Sequence, residues 1–265
     1  DEKRKINGEM GVEQYYNDYL EGTDGKKIYQ KDAYGYQIPN TPSLTEEAIS
    51  GANIYLTIDN NVQIIVENAI SDLIKSKELA WATLSIMDAK TGAIVASASS
   101  PTFNLNNLNT LESYLNPLVS YQYEPGSTMK MYSFMAAMEE GIYNGNKTYK
   151  SGSIQVADVK ISDFNKVGWG EIPYDTGFIY SSNVASTNLG LELGVKKLKE
   201  YYKNFGFGQK TGIELPGELA GQVNFKYKSE LANASFGQGI TTTPIQNLQA
   251  LSFIATDGVM LKPYI

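Results

Sequence analysis

The chain has 265 residues, of which 42% are hydrophobic and 19% are charged, a composition that suits one large globular domain, alone or with a small appendage. Its formal net charge is −7, from 22 Lys and Arg against 29 Asp and Glu, and this balance argues against a nucleic-acid-binding surface. The sequence contains no histidine and no cysteine, which excludes a Ser-His-Asp triad, a thiol nucleophile and a Cys/His zinc site.

The first 50 residues differ in pattern from the rest. Gly11–Leu20 predicts a short helix, Lys27–Ile38 is a tyrosine-rich stretch typical of a hairpin, and residues 40–50 have the Pro, Ser and Thr content of a linker. A piece of this size cannot bury a core of its own. We therefore expect it to be the end of another domain or an extension of the main one.

From residue 54 the pattern becomes regular. Ile54–Ile58 is apolar and β-branched, which predicts a strand, and Asn60–Lys77 carries apolar residues at helical spacing. Ala82–Met87 and Ala93–Ala98 predict two strands joined by a tight turn, hence an antiparallel hairpin.

The second half is predicted to be mainly helical. The predicted elements are a helix at Ser127–Glu140, short strands and loops within 149–173, helices at Gly177–Leu193, Val195–Phe205 and Thr243–Thr256, and the beginning of a strand at Val259–Ile265. A hairpin followed by helices and a returning strand favours an α+β fold with an antiparallel sheet.

Ser127 and Lys130 form the only Ser-x-x-Lys motif in the chain. A serine hydroxyl needs a base to become a nucleophile, and without histidine the usual bases that remain are lysine and carboxylates. Residues three apart share one face of a helix, so the predicted helix places Lys130 over Ser127. The Pro125-Gly126 turn puts Ser127 at the helix start, where backbone N–H groups can hold an oxyanion, and burial would lower the pKa of Lys130. The motif predicts acyl transfer.

A second polar pair, Ser181 and Asn183, lies in a predicted helical segment, Tyr180–Ala185. A hydroxyl could relay protons between Lys130 and a leaving group, and an amide could bind both a substrate carbonyl and the lysine. By itself the pair is typical of a helix cap or a surface site. Beside Ser127 and Lys130 it becomes a candidate catalytic pair.

These motifs resemble those of the penicillin-binding protein and serine β-lactamase superfamily. Tyr123–Lys130 looks like the nucleophile segment of class B penicillin-binding proteins, the monofunctional peptidoglycan transpeptidases. Ile161–Asn165 and Gly168–Pro173 are similar to the division-associated enzymes of Gram-positive bacteria, and Gly11–Gly22 resembles the end of their amino-terminal pedestal. Segments similar to the framework of the family are Leu56–Asp59, Asp88–Ala96, Phe207–Glu218 and Ser235–Gly239.

The resemblance implies a penicillin-binding protein/serine β-lactamase-like transpeptidase fold. Residues 1–50 would be the last part of a pedestal or dimerisation domain with its linker, and residues 51–265 the transpeptidase domain. The catalytic residues would be Ser127, Lys130, Ser181 and Asn183, with Trp169 as a candidate substrate-binding residue. No cofactor and no metal are implied.

The third motif of that family, Lys-Thr/Ser-Gly on an edge strand, is not found where the resemblance requires it. Two such triplets occur, at Lys90 and at Lys210, but the first lies in the predicted hairpin turn and the second in a Gly/Pro-rich loop. We interpret both as framework. The expected motif would follow the strand that begins near Val259, so we expect a transpeptidase domain truncated before its last strands.

The predicted function is that of a serine-type D-Ala-D-Ala transpeptidase that cross-links peptidoglycan stem peptides through a Ser127 acyl-enzyme. Such an enzyme is a target of β-lactams, with a role in septal cell-wall synthesis and cell-division proteins such as a glycosyltransferase as partners. The implied location is the extracytoplasmic face of the cell membrane, with an anchor upstream of Asp1.

Two alternatives remain open at this stage. One is a serine β-lactamase or D,D-carboxypeptidase; Glu112–Asn116 matches the deacylating-glutamate pattern of class A β-lactamases, but it precedes Ser127, which is the wrong order. The other is a non-catalytic β-lactam sensor or a divisome scaffold.

Overall fold

The computed structural model describes residues 7–105, 107, 109, 111 and 113–265. They form two compact units. The smaller contains the described residues up to Thr57 together with Glu214–Pro216, and the larger contains Ile58–Ile213 and Gly217–Ile265. No helix of the described residues is both long and apolar enough to cross a membrane.

The regular elements are short antiparallel strand pairs and helices, which make a mixed α+β fold. The helices are α1 (Gly11–Tyr15), α2 (Asn17–Leu20), α3 (Asn60–Ser76), α4 (Pro117–Ser120), α5 (Met129–Glu139), α6 (Tyr174–Ile179), α7 (Asn183–Asn204), α8 (Lys228–Ala234) and α9 (Pro244–Ala255). The strands are β1 (Lys26–Ile28), β2 (Leu44–Glu46), β3 (Ala82–Met87), β4 (Ile94–Ser100), β5 (Thr148–Lys150), β6 (Ser153–Val156), β7 (Val159–Ser162) and β8 (Glu171–Pro173).

In the smaller unit the pairing differs from the prediction. The predicted helix at Gly11–Leu20 is two short helices that meet at Tyr16. The predicted hairpin at Lys27–Ile38 is only partly formed, because β1 pairs with β2, which lies in the segment interpreted as a linker. Within the predicted hairpin, a single bridge between Lys31 and Gln37 is formed.

In the larger unit, α3 packs against the β3–β4 hairpin, and both elements were predicted. Asp59 caps α3 by accepting hydrogen bonds from Asn61 N (2.8 Å) and Val62 N (3.1 Å). The Gln63 amide pairs with both backbone groups of Ser97, each at 2.8 Å, so that a helix side chain extends the hydrogen bonding of β4. The strand predicted at Ile54–Ile58 is wrong, since this stretch has no regular structure.

The core of the larger unit surrounds α5 and α7. Buried side chains from these helices pack with Phe205, Phe207 and Phe225. Ser133, in the middle of α5, is fully buried, and its hydroxyl bonds to the Tyr202 hydroxyl (2.8 Å) and the Ser235 carbonyl (2.7 Å). Because these polar groups satisfy one another, α5 can be enclosed on nearly all sides.

The region 149–173 contains short strands, as predicted, in two antiparallel pairs, β5–β8 and β6–β7. The loop after β7 folds back on the start of β6. Asp163 N donates to Gly152 O (2.9 Å), and Ser151 N donates to Gly170 O (2.9 Å). This folding brings the end of β7 beside the N-terminus of α7.

Two further differences concern helix and strand bounds. The helix predicted at Gly177–Leu193 is interrupted, because α6 ends at Ile179 and α7 begins at Asn183. The division predicted between Leu193 and Val195 is confirmed, because the backbone of Gly194 is not helical (φ 78°, ψ 165°) and forms a kink that divides α7 into two helical parts. The strand predicted at Val259–Ile265 is reduced to one parallel bridge between Tyr264 and Ala93.

Candidate active site

Ser127 lies in a single 3₁₀ turn, Gly126–Thr128, that leads directly into α5. The prediction that a helix starts here is confirmed, with a tighter first turn. The turn is held by Gly126 N, which donates to Gly237 O at 3.0 Å. A Cβ on Gly237 would lie 2.1 Å from Gly126 O, and its φ is 84°, so glycine is required there. Ser127 itself is exposed at the end of a fixed turn.

Lys130 is almost fully buried, with 4% of its surface exposed. Its Nζ donates to the carbonyl oxygen of Ser181 at 2.5 Å and to the Ser181 hydroxyl at 3.0 Å. Burial lowers the pKa of Lys130 from its ordinary value of 10.5 to about 8, while the negative charge of Asp163 opposes that decrease. The neutral amine is therefore accessible near neutral pH, as a general base requires.

Ser181 is not inside a helix, contrary to the prediction. It lies in the break between α6 and α7 with a φ of 54°, a left-handed conformation that is uncommon for a non-glycine residue. The next residue, Ser182, caps α7 by accepting a hydrogen bond from Ala185 N at 3.1 Å. This break is what allows the carbonyl and the hydroxyl of Ser181 both to contact Lys130.

Asn183 is the first residue of α7. Its amide nitrogen donates to the carbonyl oxygen of Ser162, at the end of β7, at 2.9 Å. This bond fixes the carboxamide at the wall of a cavity of about 320 Å³, which is lined by Gly126, Ser127, Lys130, Phe164, Ser181, Asn183, Phe236 and Gln238.

The four predicted catalytic residues therefore meet at one cavity. Ser127, Lys130 and Ser181 also line an adjoining, more apolar cavity of about 250 Å³, whose other walls are Thr128, Met131, Tyr132, Phe178, Asn247 and Leu251. A serine hydroxyl, a buried lysine and a second hydroxyl within reach of that lysine are the groups needed for acyl transfer. Their roles in this chain stay a prediction.

Trp169 lines neither of these two cavities. Its ring contacts Phe164, with the centroids 5.6 Å apart, and Tyr180 at 5.0 Å. Its backbone nitrogen donates to the Ser151 hydroxyl at 2.6 Å, which fixes the loop. Of these aromatic residues it is Phe164 that faces the site, and the substrate-binding role of Trp169 stays a prediction.

Asp163 is a site residue that sequence reasoning missed. It is 1% exposed, and its carboxylate accepts hydrogen bonds from Ser182 Oγ (2.8 Å), Val184 N (3.1 Å) and Gly152 N (2.7 Å). It belongs to the Ile161–Asn165 segment, which was noted only as a family-like stretch. Phe236 and Gln238 were also missed as cavity residues, although Ser235–Gly239 had been noted as framework.

The two Lys-Thr-Gly triplets that were interpreted as framework, at Lys90 and at Lys210, have structural roles. Lys90 lies in the β3–β4 turn, where its backbone nitrogen donates to Asp88 Oδ1 at 2.7 Å. Thr211, beside Lys210, directs both its N–H (2.7 Å) and its hydroxyl (2.6 Å) to the buried carboxylate of Glu218. Neither lysine lines the two cavities around Ser127. Glu112, the first residue of the β-lactamase-like pattern, lies outside the described residues.

Comparison with known proteins gives matches along almost the whole chain. A family model for the penicillin-binding protein transpeptidase domain matches residues 82–265, and a model for the penicillin-binding protein dimerisation domain matches residues 2–56. Stage V sporulation protein D of Bacillus subtilis is 33% identical over 97% of this chain and 41% of its own length. The penicillin-binding protein PbpB of Mycobacterium tuberculosis is 33% identical over 97% of this chain and 39% of its own length.

Solved structures give the same result. Penicillin-binding protein 2X of Streptococcus thermophilus superposes with a TM-score of 0.85 at 36% identity, over 97% of this chain and 39% of its own. Penicillin-binding protein 3 of Mycobacterium tuberculosis, solved in complex with ampicillin, gives 0.84 at 30% identity, over 99% of this chain and 56% of its own. The chain spans about two fifths of the length of the two curated relatives. Since the transpeptidase model covers more than half of the residues, the chain belongs to the penicillin-binding protein transpeptidase family.

Proposed function

We propose that this chain carries the acyl-transfer site of a peptidoglycan D,D-transpeptidase, with Ser127 as the nucleophile. The observation that carries the proposal is the buried Lys130 ammonium, which bonds to Ser181 in a cavity shared with Ser127 and Asn183. A lysine buried for structural reasons alone would not be expected beside two hydroxyl groups in an open cavity. Curated relatives named peptidoglycan D,D-transpeptidase FtsI, from Buchnera aphidicola and Escherichia coli, support the same reaction.

In the first step, the Ser127 oxygen attacks the carbonyl carbon between the two terminal D-alanines of a stem peptide, and neutral Lys130 takes the hydroxyl proton. Backbone N–H groups of the turn that follow Gly126 stabilise the oxyanion, since the N–H of Gly126 itself donates to Gly237 O. The bond from this carbon to the terminal D-Ala nitrogen then breaks. Lys130 returns the proton through the Ser181 hydroxyl to the leaving amine.

In the second step, an amine from a neighbouring stem peptide attacks the Ser127 ester. The amine loses its proton to the Ser181–Lys130 pair, and Ser127 recovers a proton as it leaves. The product is a new peptide bond between two stems. A β-lactam acylates Ser127 in the same way, but its leaving group stays tethered and obstructs the incoming amine, so the acyl-enzyme persists.

The cellular setting is part of the proposal. Residues 1–50 would be the last part of a pedestal or dimerisation domain with its linker, supported by the match to the dimerisation model. A protein of this type would act at the extracytoplasmic face of the cell membrane. Septal synthesis is supported by the resemblance of Ile161–Asn165 and Gly168–Pro173 to division-associated enzymes, and a glycosyltransferase partner is part of the same proposal.

Intact-mass measurement with and without benzylpenicillin tests the assignment. We expect the mass to increase by one penicillin, and peptide mapping to place the adduct on Ser127. Ser127→Ala should remain unmodified, because the other two serine or threonine hydroxyls that line a cavity with Lys130 are already bonded: Thr128 donates to Pro125 O at 2.9 Å, and Ser181 accepts from Lys130 at 3.0 Å. An adduct on Ser127→Ala, or no adduct on the folded wild-type protein, would contradict the proposal. Repeated turnover of a chromogenic cephalosporin would assign a hydrolase instead.

A further inference from the structure

The carboxylate of Asp163 lies behind the Ser181 loop and is enclosed by the protein. Only 1% of the residue is exposed. One carboxylate oxygen accepts from Ser182 Oγ at 2.8 Å and from Val184 N at 3.1 Å, and the other accepts from Gly152 N at 2.7 Å. Removing a carboxylate from water is costly unless such donors compensate. A buried carboxylate with this set of donors fixes the segments that supply them.

We propose that Asp163 is a positioning residue of the acyl-transfer site, which holds the Ser182–Val184 turn so that the carbonyl and hydroxyl of Ser181 both reach the Lys130 ammonium. This inference rests on the proposed function and adds to it a residue outside the motifs of the sequence. Asp163 contacts neither cavity and none of the reacting groups, so its effect is exerted through Ser181 and Lys130.

The conformation of Ser181 explains why such support is needed. A non-glycine residue at a φ of 54° is disfavoured relative to an extended or helical conformation, and this conformation persists only when its surroundings enforce it. On the far side of Ser181, Lys130 supplies two hydrogen bonds. On the near side, Asp163 holds Ser182 and Val184, which follow Ser181 in the chain, through the Ser182 hydroxyl and Val184 N.

Asp163 also acts on Lys130 through its charge. Its negative charge raises the pKa of Lys130 against the larger lowering by burial. Among the described residues that line the two cavities, neither α7 nor α9 supplies a charged group, and Tyr132 on α5 has a pKa that burial raises. The carboxylate of Glu124, before the turn, accepts from Gly239 N. Loss of the Asp163 charge should therefore lower the pKa of Lys130 further.

Three variants separate positioning from simple stabilisation. Asp163→Asn removes the charge and keeps the shape. Ser182→Ala breaks one link to the Ser181 loop and keeps the charge. Asp158→Asn is the matched control, because Asp158 is an exposed residue in the turn between β6 and β7 of the same hairpin.

Two measurements are made on each folded variant between pH 6 and pH 10. The first is the second-order rate of acylation by a fluorescent penicillin. The second is the pKa of Lys130 itself, obtained from the pH dependence of its modification by acetic anhydride, relative to a free amine standard and read by mass spectrometry. The second measurement does not depend on acylation of Ser127.

For Asp163→Asn we expect the Lys130 pKa to fall further in both measurements, with the plateau rate reduced about tenfold or more by misplacement of Ser181. Ser182→Ala should reduce the plateau rate several-fold, with the Lys130 pKa unchanged. Asp158→Asn should match the wild type in both.

An Asp163→Asn protein that is acylated at the wild-type plateau rate would overturn the inference, whatever its Lys130 pKa, because Ser181 would then be in place without the carboxylate. If Asp163→Asn does not fold, the test of the inference rests on Ser182→Ala. A wild-type acylation rate in that variant overturns the inference. If the wild-type protein is not acylated at all, the proposed function fails, while the acetylation measurement still tests the link between Asp163 and Lys130.

Discussion

At the scale of single residues, the site depends on a lysine held where its charge is unfavourable. Lys130 is buried, and burial outweighs the attraction of Asp163, so its pKa falls to about 8. The two hydrogen bonds to Ser181 compensate part of the lost hydration. The protein thereby obtains a base that is neutral in roughly one molecule in ten at pH 7.

The lowered pKa predicts how acylation of Ser127 depends on pH. The neutral amine is the active form, so the second-order rate with benzylpenicillin should rise with pH and level off above about pH 8. Stopped-flow or quenched-mass measurements from pH 6 to pH 10 give the profile. A rate that stays flat, or falls, across this range would show that Lys130 is not the base.

The same burial predicts a stability gain when the lysine is removed. Lys130 has a pKa of about 8 when folded and 10.5 when unfolded, so the unfolded chain binds the proton more tightly. The resulting penalty is fully present below pH 8 and disappears as the pH rises to 10.5. Lys130→Met should abolish acylation. The excess of its free energy of unfolding over that of the wild type should be larger at pH 7 than at pH 10.5 by roughly 1–2 kcal/mol, after allowance for solvent screening.

Urea unfolding at the two pH values measures this difference. Packing and hydrogen-bond effects of the substitution are expected to vary little with pH, so the change between the two values isolates the ionisation of Lys130. Lys160→Met, at an exposed position in β7, serves as the control and should show no such change. Equal pH dependence in the two variants would argue against a buried, destabilising ammonium.

At the scale of elements, the position of Ser127 depends on a place where the backbones of two loops touch directly, with no side chain between them. The Gly126–Thr128 turn rests directly on the backbone of Gly237, where a Cβ would lie 2.1 Å from Gly126 O. Gly239, two residues later, also has a positive φ, of 71°, but a Cβ there meets nothing within 4 Å. Substitution of Gly239 therefore reports only the cost of a side chain at a positive φ, whereas substitution of Gly237 reports that cost together with displacement of the Ser127 turn.

We expect Gly239→Ala to reduce the free energy of unfolding by about 1 kcal/mol, the cost of the left-handed conformation, with acylation nearly unchanged. Gly237→Ala should cost roughly 2–4 kcal/mol and slow acylation about a hundredfold, since the added carbon must push the Ser127 turn away. Urea unfolding and penicillin acylation rates check both. Equal losses in the two variants would mean that the contact with Gly126 does not position Ser127.

Local sequence signals predicted the elements that depend on local causes. The helix α3, with its Asp59 cap, and the β3–β4 hairpin follow the patterns of their own residues. The break between α6 and α7 could not be predicted in this way. The residues around Ser181 have the sequence pattern of one continuous helix. The conformation of Ser181 is instead decided by contacts with Asp163 and Lys130, which are distant in sequence. The pairing of β1 with β2 instead of a local hairpin has the same origin in non-local contacts.

In the candidate site, too, the residues placed by local spacing were predictable and the residue placed by distant contacts was not. Ser127 and Lys130 were predictable because three-residue spacing on a helix brings them to one face, and both line the same cavity. Asp163 carries no sequence signal for a site, since a lone aspartate after a strand is usually a turn residue. Its importance follows from burial and from the three donors that surround it, which only the folded chain reveals.

At the scale of the whole molecule, every residue that lines the two cavities belongs to the larger unit. The stretch 51–59, at which the smaller unit gives way to the larger, has no regular secondary structure. Tyr55 in this stretch is 89% exposed. Exposed irregular backbone is where proteases cut most readily, so this stretch offers a way to test which unit carries the function.

We expect brief treatment with chymotrypsin to cleave after Tyr55, and Tyr55→Ala to resist cleavage there. Cuts at the exposed Tyr34 and Tyr36 would remain within the smaller unit and serve as an internal reference for protease activity. Because the larger unit contains the hydrophobic core around α5 and α7 as well as all the cavity residues, its fragment should still be acylated by fluorescent penicillin at a rate within about twofold of the uncut protein. The fluorescent band on a denaturing gel identifies the labelled fragment. Loss of labelling on cleavage after Tyr55, with the larger fragment still folded by circular dichroism, would show that the smaller unit is needed for the activity of the site.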